Sequence, residues 1–136
     1  MWRDIERRAD FYGLPKPNMP VPYPLQAFDQ ANKVGVVLNR QGRYLEYFEH
    51  TYRLWFLSWL EAGSKDNLRQ TLQAMKCDYD AIIDQAEDDA VQGEYEANTE
   101  AARECGVFGA PSFSIGDEIF WGDDRLEDAI RFATSR

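Results

Sequence analysis

The chain has 136 residues, which is enough for one domain with a single hydrophobic core and too few for two ordinary ones. Its formal net charge of −9 argues against a general binder of nucleic-acid backbones, because such proteins need a basic face. No apolar run approaches the roughly 18 residues of a membrane-spanning helix, and the first residues are charged where a signal peptide is apolar. We therefore expect one cytoplasmic folding unit with neither a nucleic-acid nor a membrane partner.

Cysteine and histidine are scarce in this sequence. Cys77 and Cys105 lie far apart in the chain, so there is no Cys-x-x-Cys, and a single histidine allows no His-x-x-x-His. A thiol–disulfide exchanger needs the first motif, and common zinc sites need comparable spacings. The sequence predicts reduced thiols without a metal or redox role.

The N-terminal third is predicted to be two helices joined by an extended connector. Trp2, Ile5, Ala9 and Tyr12 recur at helical spacing, and Gly13 ends that helix. Residues 14–24 contain five prolines, which exclude a helix and favour a stiff crossover, with a polyproline ligand as the alternative. Helical periodicity returns from Leu25 and closes at Gln41-Gly42.

The middle of the chain is predicted to be helical as well. Residues 44–60 carry an aromatic stripe that we expect in the core. Ser64 and Asp78 stand where two further helices begin, so each is expected to be an N-cap. The acids between residues 84 and 89 have no glycine-centred loop, which favours a solvated helix face over a cation site. A further helix ends at Gly106, so the pattern predicts five or six helices before residue 107.

The C-terminal part differs from everything before it. Ser112–Ile115 alternates polar and apolar residues, Gly116-Asp117 signals a tight turn, and Glu118–Trp121 reads as a returning strand. Pro111 suits the start of a strand, and a cis bond after Ala110 would leave the amide and carbonyl of Ala110 free to pair with an extended ligand.

A helix is predicted to follow the hairpin. Asp123 and Asp124 at its start are explained by capping and by the helix dipole. Two carboxylates exceed what capping requires, so one of them could accept hydrogen bonds from the ammonium group of an amino-acid-like ligand. The expected inward face of this helix consists of Leu126, Ala129, Ile130 and Ala133.

These motifs resemble a known family. Residues 106–113 (G-V-F-G-A-P-S-F) and 119–126 (I-F-W-G-D-D-R-L) are similar to the C-terminal signature of the 2-hydroxychromene-2-carboxylate isomerase and kappa-class glutathione transferase family. Residues 1–4 and 12–15 resemble the family's sequence at the start of its helical insertion. The resemblance spans the whole chain and implies a mainly α structure with a small β-hairpin, a partial thioredoxin-like α/β fold with a large helical insertion.

The same resemblance implies domains, ligands and roles. Residues 1–104 would be the helical insertion domain, and residues 105–136 the C-terminal thioredoxin-like hairpin and helix. Glutathione is the implied cofactor. Ala110 would pair through its backbone with the cysteinyl part, Pro111 would shape the entry to the strand, and Asp123 and Asp124 would hold the γ-glutamyl end. The implied activity is a glutathione-dependent cis–trans isomerase or transferase acting on a small unsaturated or electrophilic substrate.

One part of the family pattern has no match here. Family members begin with a strand, a helix and a second strand, and their catalytic serine lies at the start of that helix. Ser58, Ser112 and Ser114 do not replace it, so no catalytic residue is assigned. We expect either a fragment or mis-started frame of a longer enzyme, or a homodimer. The alternative function is a non-catalytic dimeric helical module whose interface is the uncovered hairpin edge.

Overall fold

The computed structural model describes residues 1–135. Seven α-helices and one two-stranded antiparallel sheet lie within that range, which confirms the predicted mainly helical chain with a β-hairpin. The helices are α1 (Trp2–Phe11), α2 (Phe28–Arg40), α3 (Tyr44–Ser58), α4 (Lys65–Ala74), α5 (Tyr79–Ala86), α6 (Asp89–Glu104) and α7 (Leu126–Thr134). The strands are β1 (Ser112–Ile115) and β2 (Glu118–Trp121), and a 3-10 turn spans Asp123–Arg125.

The chain forms two compact units. The first covers Met1–Tyr95 and the second runs from Glu96 onward, so helix α6 crosses the boundary. The sequence predicted the boundary after residue 104, at the C-terminal end of α6, which is nine residues after the boundary between the two compact units. That the two parts fold as one unit stays a prediction.

Helix α2 supplies the centre of the core in the first unit. Residues 34–38 are all buried, and α2 packs against α3 and α5 while α3 packs against α4. Leu38, Leu68 and Leu72 are almost completely inaccessible to solvent. Truncation of such a leucine to alanine typically costs about 2–5 kcal/mol, so each of these side chains contributes substantially to the stability of this unit.

The proline-rich connector packs as the predicted crossover. Val21 is buried with Trp55 and Ala62 in a second apolar cluster. The indole Nε1 of Trp55 donates a hydrogen bond to the Pro22 carbonyl at 2.9 Å, and the backbone amide of Asn18 donates one to the Phe56 carbonyl at 2.8 Å. The connector is therefore held along α3.

The aromatic stripe of α3 is only partly in the core, so the prediction for it was largely wrong. Tyr47 and Trp55 are buried, whereas Tyr44, Phe48 and Tyr52 are 41%, 41% and 42% exposed. Aromatic residues at spacings of three and four cover an arc of the helix wider than its neighbours can bury. The outer rings pack on one another instead, with 4.2 Å between the ring centroids of Phe48 and Tyr52.

The buried Tyr47 has its polar end satisfied. Its hydroxyl donates a hydrogen bond to the Ala31 carbonyl at 2.7 Å, which links α3 to α2. Burial raises the pKa of the Tyr47 phenol far above its usual range, so the group stays a neutral donor.

Both predicted N-caps are confirmed. The Ser64 hydroxyl accepts a hydrogen bond from the backbone amide of Asn67 at 3.3 Å, and the Asp78 carboxylate accepts one from the backbone amide of Ala81 at 2.9 Å. Each satisfies one of the amides that the first turn of a helix leaves unpaired. These two contacts fix where α4 and α5 begin.

The second unit is built on the hairpin. Its strands have the predicted bounds, and Ser112 pairs with Trp121 while Ile115 pairs with Glu118. Helix α7 packs on the hairpin through the buried Ala129 and through Phe132, whose ring centroid lies 5.5 Å from that of Phe120.

The predicted inward face of α7 was too wide. Leu126, Ile130 and Ala133 are exposed, and only Ala129 of the four is buried. A two-stranded sheet is narrow, so it covers the stripe that contains residues 129 and 132 and leaves the flanks uncovered.

None of the helices within residues 1–135 combines the length and the apolar composition that crossing a bilayer requires.

Candidate functional site

The loop between α6 and β1 carries the first pair of predicted site residues. Gly106 ends the helix with a φ of +85°, and the Val107 amide donates to the Ala102 carbonyl at 3.0 Å. The peptide bond between Ala110 and Pro111 is cis. Ala110 is exposed, and within the described residues its amide and carbonyl make no hydrogen bond.

One backbone hydrogen bond joins the two ends of the hairpin. The Gly122 amide donates to the Pro111 carbonyl at 2.9 Å, just beyond the pair formed by Ser112 and Trp121. This bond holds the residue that follows β2 beside the residue that precedes β1. The structure therefore brings Ala110 and Pro111 to the same end of the hairpin as residues 122–124.

The turn after β2 carries the two predicted acids. Gly122 has a φ of +113°, a conformation that residues with a side chain rarely adopt. A Cβ atom at Gly122 would lie 2.6 Å from Oδ1 of Asp124, so the carboxylate of Asp124 folds back over the glycine. Asp123 and Asp124 are both exposed.

The two acids are not the N-caps that the sequence predicted. Gly122 precedes the 3-10 turn and Arg125 precedes α7, and neither makes a side-chain cap hydrogen bond. Nη1 of Arg125 instead pairs with Asp128 at 3.0 Å, one turn further along. The Asp124 carboxylate makes no hydrogen bond or ion pair among residues 1–135, so it is available to a cationic ligand group.

The electrostatics of this end favour an ammonium group. Asp123 and Asp124 are followed by Glu127 and Asp128 in the first turn of α7, so four acids lie within six residues of chain. Arg125 and Arg131 pair with the half-buried Asp128, which leaves the exposed acids before it to accept charge-assisted hydrogen bonds from a cation.

Sequence reasoning missed two aromatic residues at this end. Phe108 and Trp121 flank the predicted positions, and their ring centroids lie 5.1 Å apart. The available signal was Gly109, because a glycine beside a proline-containing loop often marks close approach of another group. A Cβ atom at Gly109 would lie 2.4 Å from Nε1 of Trp121.

The serines of the hairpin do not form a nucleophilic site. The Ser112 hydroxyl donates to the Gly109 carbonyl at 2.6 Å, which stabilises the loop, and Ser114 is exposed on β1. No catalytic residue is assigned among residues 1–135.

The two cysteines are free thiols. Cys105 is exposed, and Sγ of the half-buried Cys77 accepts a hydrogen bond from Nη1 of Arg43 at 3.2 Å. Residues 1–135 hold no cluster of three metal-ligating side chains.

A shallow groove lies in the first unit, outside the predicted residues. It has a volume of about 470 Å³, with Lys65 and Arg69 among its cations and Asp80 and Glu87 among its acids. The Arg69 guanidinium lies 4.3 Å from the centroid of the Tyr79 ring. The opposite charges in the lining compensate one another and indicate no ligand class.

Sequence comparisons agree with the motifs at the hairpin. The 2-hydroxychromene-2-carboxylate isomerase of Sphingobium xenophagum is 30% identical over 129 residues, which are 93% of this chain and 63% of that protein. The enzyme of the same name from Pseudomonas sp. (strain C18) is 45% identical over 49 residues, which are 36% of this chain and 23% of that protein. The chain thus spans less than two thirds of the length of these relatives.

Structural comparison gives the same fold. A solved 2-hydroxychromene-2-carboxylate isomerase superposes with a TM-score of 0.82 at 23% sequence identity, over 98% of this chain and 64% of that one. The profile of the DSBA-like thioredoxin domain family matches residues 1–131. Together these matches confirm the predicted resemblance and the thioredoxin-like fold. The chain belongs to the DSBA-like thioredoxin domain family.

Proposed function

We propose that the chain provides one side of the glutathione-binding site of a glutathione-dependent cis–trans isomerase or glutathione transferase. This side consists of Ala110, Pro111, Asp123 and Asp124. The observation that carries the proposal is the hydrogen bond from the Gly122 amide to the Pro111 carbonyl. It holds Pro111, which follows the unpaired backbone of Ala110, beside Gly122, which directly precedes Asp123 and Asp124. The isomerase names of the relatives support the reaction class.

Glutathione has two groups that suit this end of the hairpin. Its cysteinyl residue is a short extended peptide unit, which pairs with the amide and carbonyl of Ala110 as an added strand pairs with a sheet edge. Pro111 fixes the direction of that backbone, since proline restricts both itself and the residue before it. The α-ammonium of the γ-glutamyl end donates to the carboxylates of Asp123 and Asp124.

The proposed isomerisation is redox-neutral and regenerates glutathione. Its thiolate adds to a carbon–carbon double bond that is conjugated with a carbonyl, which forms a carbon–sulfur bond and an enolate. Rotation then occurs about the bond that has become single. Collapse of the enolate restores the double bond, breaks the carbon–sulfur bond and returns the thiolate. The residues named here bind and orient glutathione, and none of them is assigned a proton-transfer role.

Loss of the Asp124 carboxylate is expected to weaken glutathione binding. Asp124→Ala removes one charge-assisted hydrogen bond at an exposed position, so we expect the Kd of glutathione to rise about tenfold by calorimetry. Asp117→Ala is the matched control, because Asp117 is an exposed acid at the opposite end of the same hairpin. It should leave the Kd unchanged.

A ligand lacking the ammonium group tests the assigned contact directly. Glutaryl-cysteinyl-glycine should bind more weakly than glutathione to the unaltered protein, and Asp124→Ala should not weaken it further. The role of Asp124 would be contradicted if Asp124→Ala reduced the affinity for both ligands by the same factor. It would also be contradicted if Asp117→Ala reduced the affinity for glutathione as much as Asp124→Ala does.

A second candidate function is the dimeric helical module. The observation that favours it is the two-stranded sheet, in which each strand has an unpaired edge within the described residues. Exposed edges readily pair with another chain. We expect a dimer by sedimentation if this edge is the interface, whereas a monomer at micromolar concentration with a cooperative melt would exclude it.

A further inference from the structure

The outer face of α3 carries four aromatic rings in a row, which we call the α3 ladder. It consists of Tyr44, Phe48, Tyr52 and Phe56. Phe48 stacks on Tyr52 with 4.2 Å between the ring centroids, and Tyr52 stacks on Phe56 at 5.9 Å with an interplanar angle of 6°. Tyr44 continues the row at 6.3 Å from Phe48. The first three residues are exposed, so an apolar strip along this helix faces solvent.

The charge of this helix differs from that of the whole chain. Residues 43–58 contain two arginines and two glutamates, so their formal charge is zero, whereas the chain as a whole carries −9. Two copies of an acidic protein repel one another wherever acidic surfaces meet, and like charges opposed across an interface disfavour association. The α3 ladder is therefore an apolar strip on a helix where a second copy of the chain meets no net charge.

The α3 ladder is complementary to itself in an antiparallel arrangement. Its four members are spaced evenly about residue 50, so a two-fold axis at that point places Phe48 against Tyr52 of the second copy. The same axis places Tyr44 against Phe56 of the second copy. Each contact then occurs twice, as in the isologous interfaces of two-fold dimers. Aromatic rings in contact favour association beyond the effect of the area that they bury.

The border of the α3 ladder is complementary in charge. Glu49 and Arg53 each follow a ladder residue directly, so both lie along the same side of the ladder, and they form an ion pair of 3.2 Å within the helix. A two-fold axis perpendicular to the helices keeps this side of one copy next to the same side of the other. Glu49 of each copy then lies beside Arg53 of the other, and the four charges balance.

We infer that two copies of this chain pair antiparallel through the α3 ladder. Helix α3 has 15 residues and is about 22 Å long, so the strip is smaller than the roughly 800 Å² per partner of a standard interface. We therefore expect a weak dimer with a Kd of roughly 10–100 μM. Its interface lies in the first unit and differs from the hairpin edge, and the inference does not depend on glutathione binding.

An exchange of charges at Glu49 and Arg53 tests the arrangement. Glu49→Arg places four arginines at the border and Arg53→Glu places four glutamates there, so each should raise the dimer Kd roughly tenfold or more in sedimentation equilibrium. The double variant restores opposite charges in reversed order, and its Kd should return to within about threefold of that of the unaltered protein. Both side chains are exposed, so these changes leave the core of the first unit intact.

Asp84→Arg is the matched control for net charge. Asp84 is an exposed acid on α5, and its substitution changes the formal charge of the chain by the same amount as Glu49→Arg. It should not weaken the dimer.

Phe48→Ala tests the aromatic contact. Phe48 is exposed and packs on rings of its own helix, so the variant should fold, and its dimer Kd should rise roughly tenfold or more. Phe108→Ala is the control, because it removes an exposed ring from the second unit. It should leave the dimer Kd unchanged.

Three results would overturn the inference. The first is a monomer at about ten times the expected Kd. The second is a dimer whose Kd changes in neither Glu49→Arg nor Phe48→Ala, which would place the interface elsewhere, for example at the hairpin edge. The third is a double variant that dimerises as weakly as the two single variants. Loss of glutathione binding, measured separately by calorimetry, would reject the proposed function and leave these dimer measurements valid.

Discussion

Gly63→Ala is expected to lower the free energy of unfolding by about 3–5 kcal/mol, because the new methyl group has no space. Its Cβ atom would lie 2.0 Å from the Ala27 carbonyl oxygen and 2.9 Å from the Ala31 nitrogen. Both atoms belong to the hydrogen bond of 3.1 Å at the start of α2. The Glu61 carboxylate also binds this start, through the amides of Gln26 and Ala27, so the backbone cannot retreat without losing several contacts.

Gly42→Ala is the control for backbone conformation alone. Gly42 has a φ of +71°, similar to the +85° of Gly63, but no atom lies within 4 Å of the position of its Cβ. The left-handed conformation costs a residue with a side chain about 1–2 kcal/mol, so the control should lose only that amount. Urea unfolding of both variants measures the difference, and equal losses would show that close packing at Gly63 does not matter.

The hairpin was predictable because its determinants are local. Strand alternation, the Gly116-Asp117 turn and Pro111 lie within eleven residues of one another, and the observed strands have the predicted bounds. The predicted site residues share this property, since one hairpin places Ala110 and Asp124 at the same end. The N-caps at Ser64 and Asp78 were predictable for the same reason, because each contact spans three residues.

Surface exposure was less predictable because it depends on what covers each face. Helical periodicity identifies the aromatic face of α3, but only distant segments decide that Trp55 is buried and Phe48 is exposed. Gly109 signals a close approach of some group, but the sequence does not show that this group is the indole of Trp121. The aromatic part of the candidate site therefore emerged only from the three-dimensional structure.

The side chain of Asn67 makes hydrogen bonds to distant backbone carbonyls that no sequence pattern predicted. Its side chain is completely buried, and Nδ2 donates to the Thr51 carbonyl at 3.1 Å and to the Leu60 carbonyl at 2.8 Å. Oδ1 accepts from the Thr71 hydroxyl at 3.2 Å. One amide thus ties α4 to α3 and to the residues that follow α3, where the helix has ended in the left-handed conformation of Trp59.

Asn67→Asp keeps the shape of this side chain and removes its donors. The carboxylate would face two carbonyl oxygens in a buried site, so we expect the free energy of unfolding to fall by about 3–5 kcal/mol at pH 7. Burial raises the pKa of such a carboxyl in the folded state above its unfolded value. The folded state then binds the additional proton, so part of the loss should be recovered as the pH falls from 7 toward 5.

Asn98→Asp is the control, because Asn98 is an exposed residue within α6. This change should alter the free energy of unfolding by less than about 0.5 kcal/mol at pH 7, and lowering the pH should not restore stability. Urea unfolding at pH 7 and pH 5 gives both comparisons. A small effect at Asn67, or a loss that does not diminish at pH 5, would mean that the two carbonyls find other donors and that the Asn67 amide does not hold the end of α3.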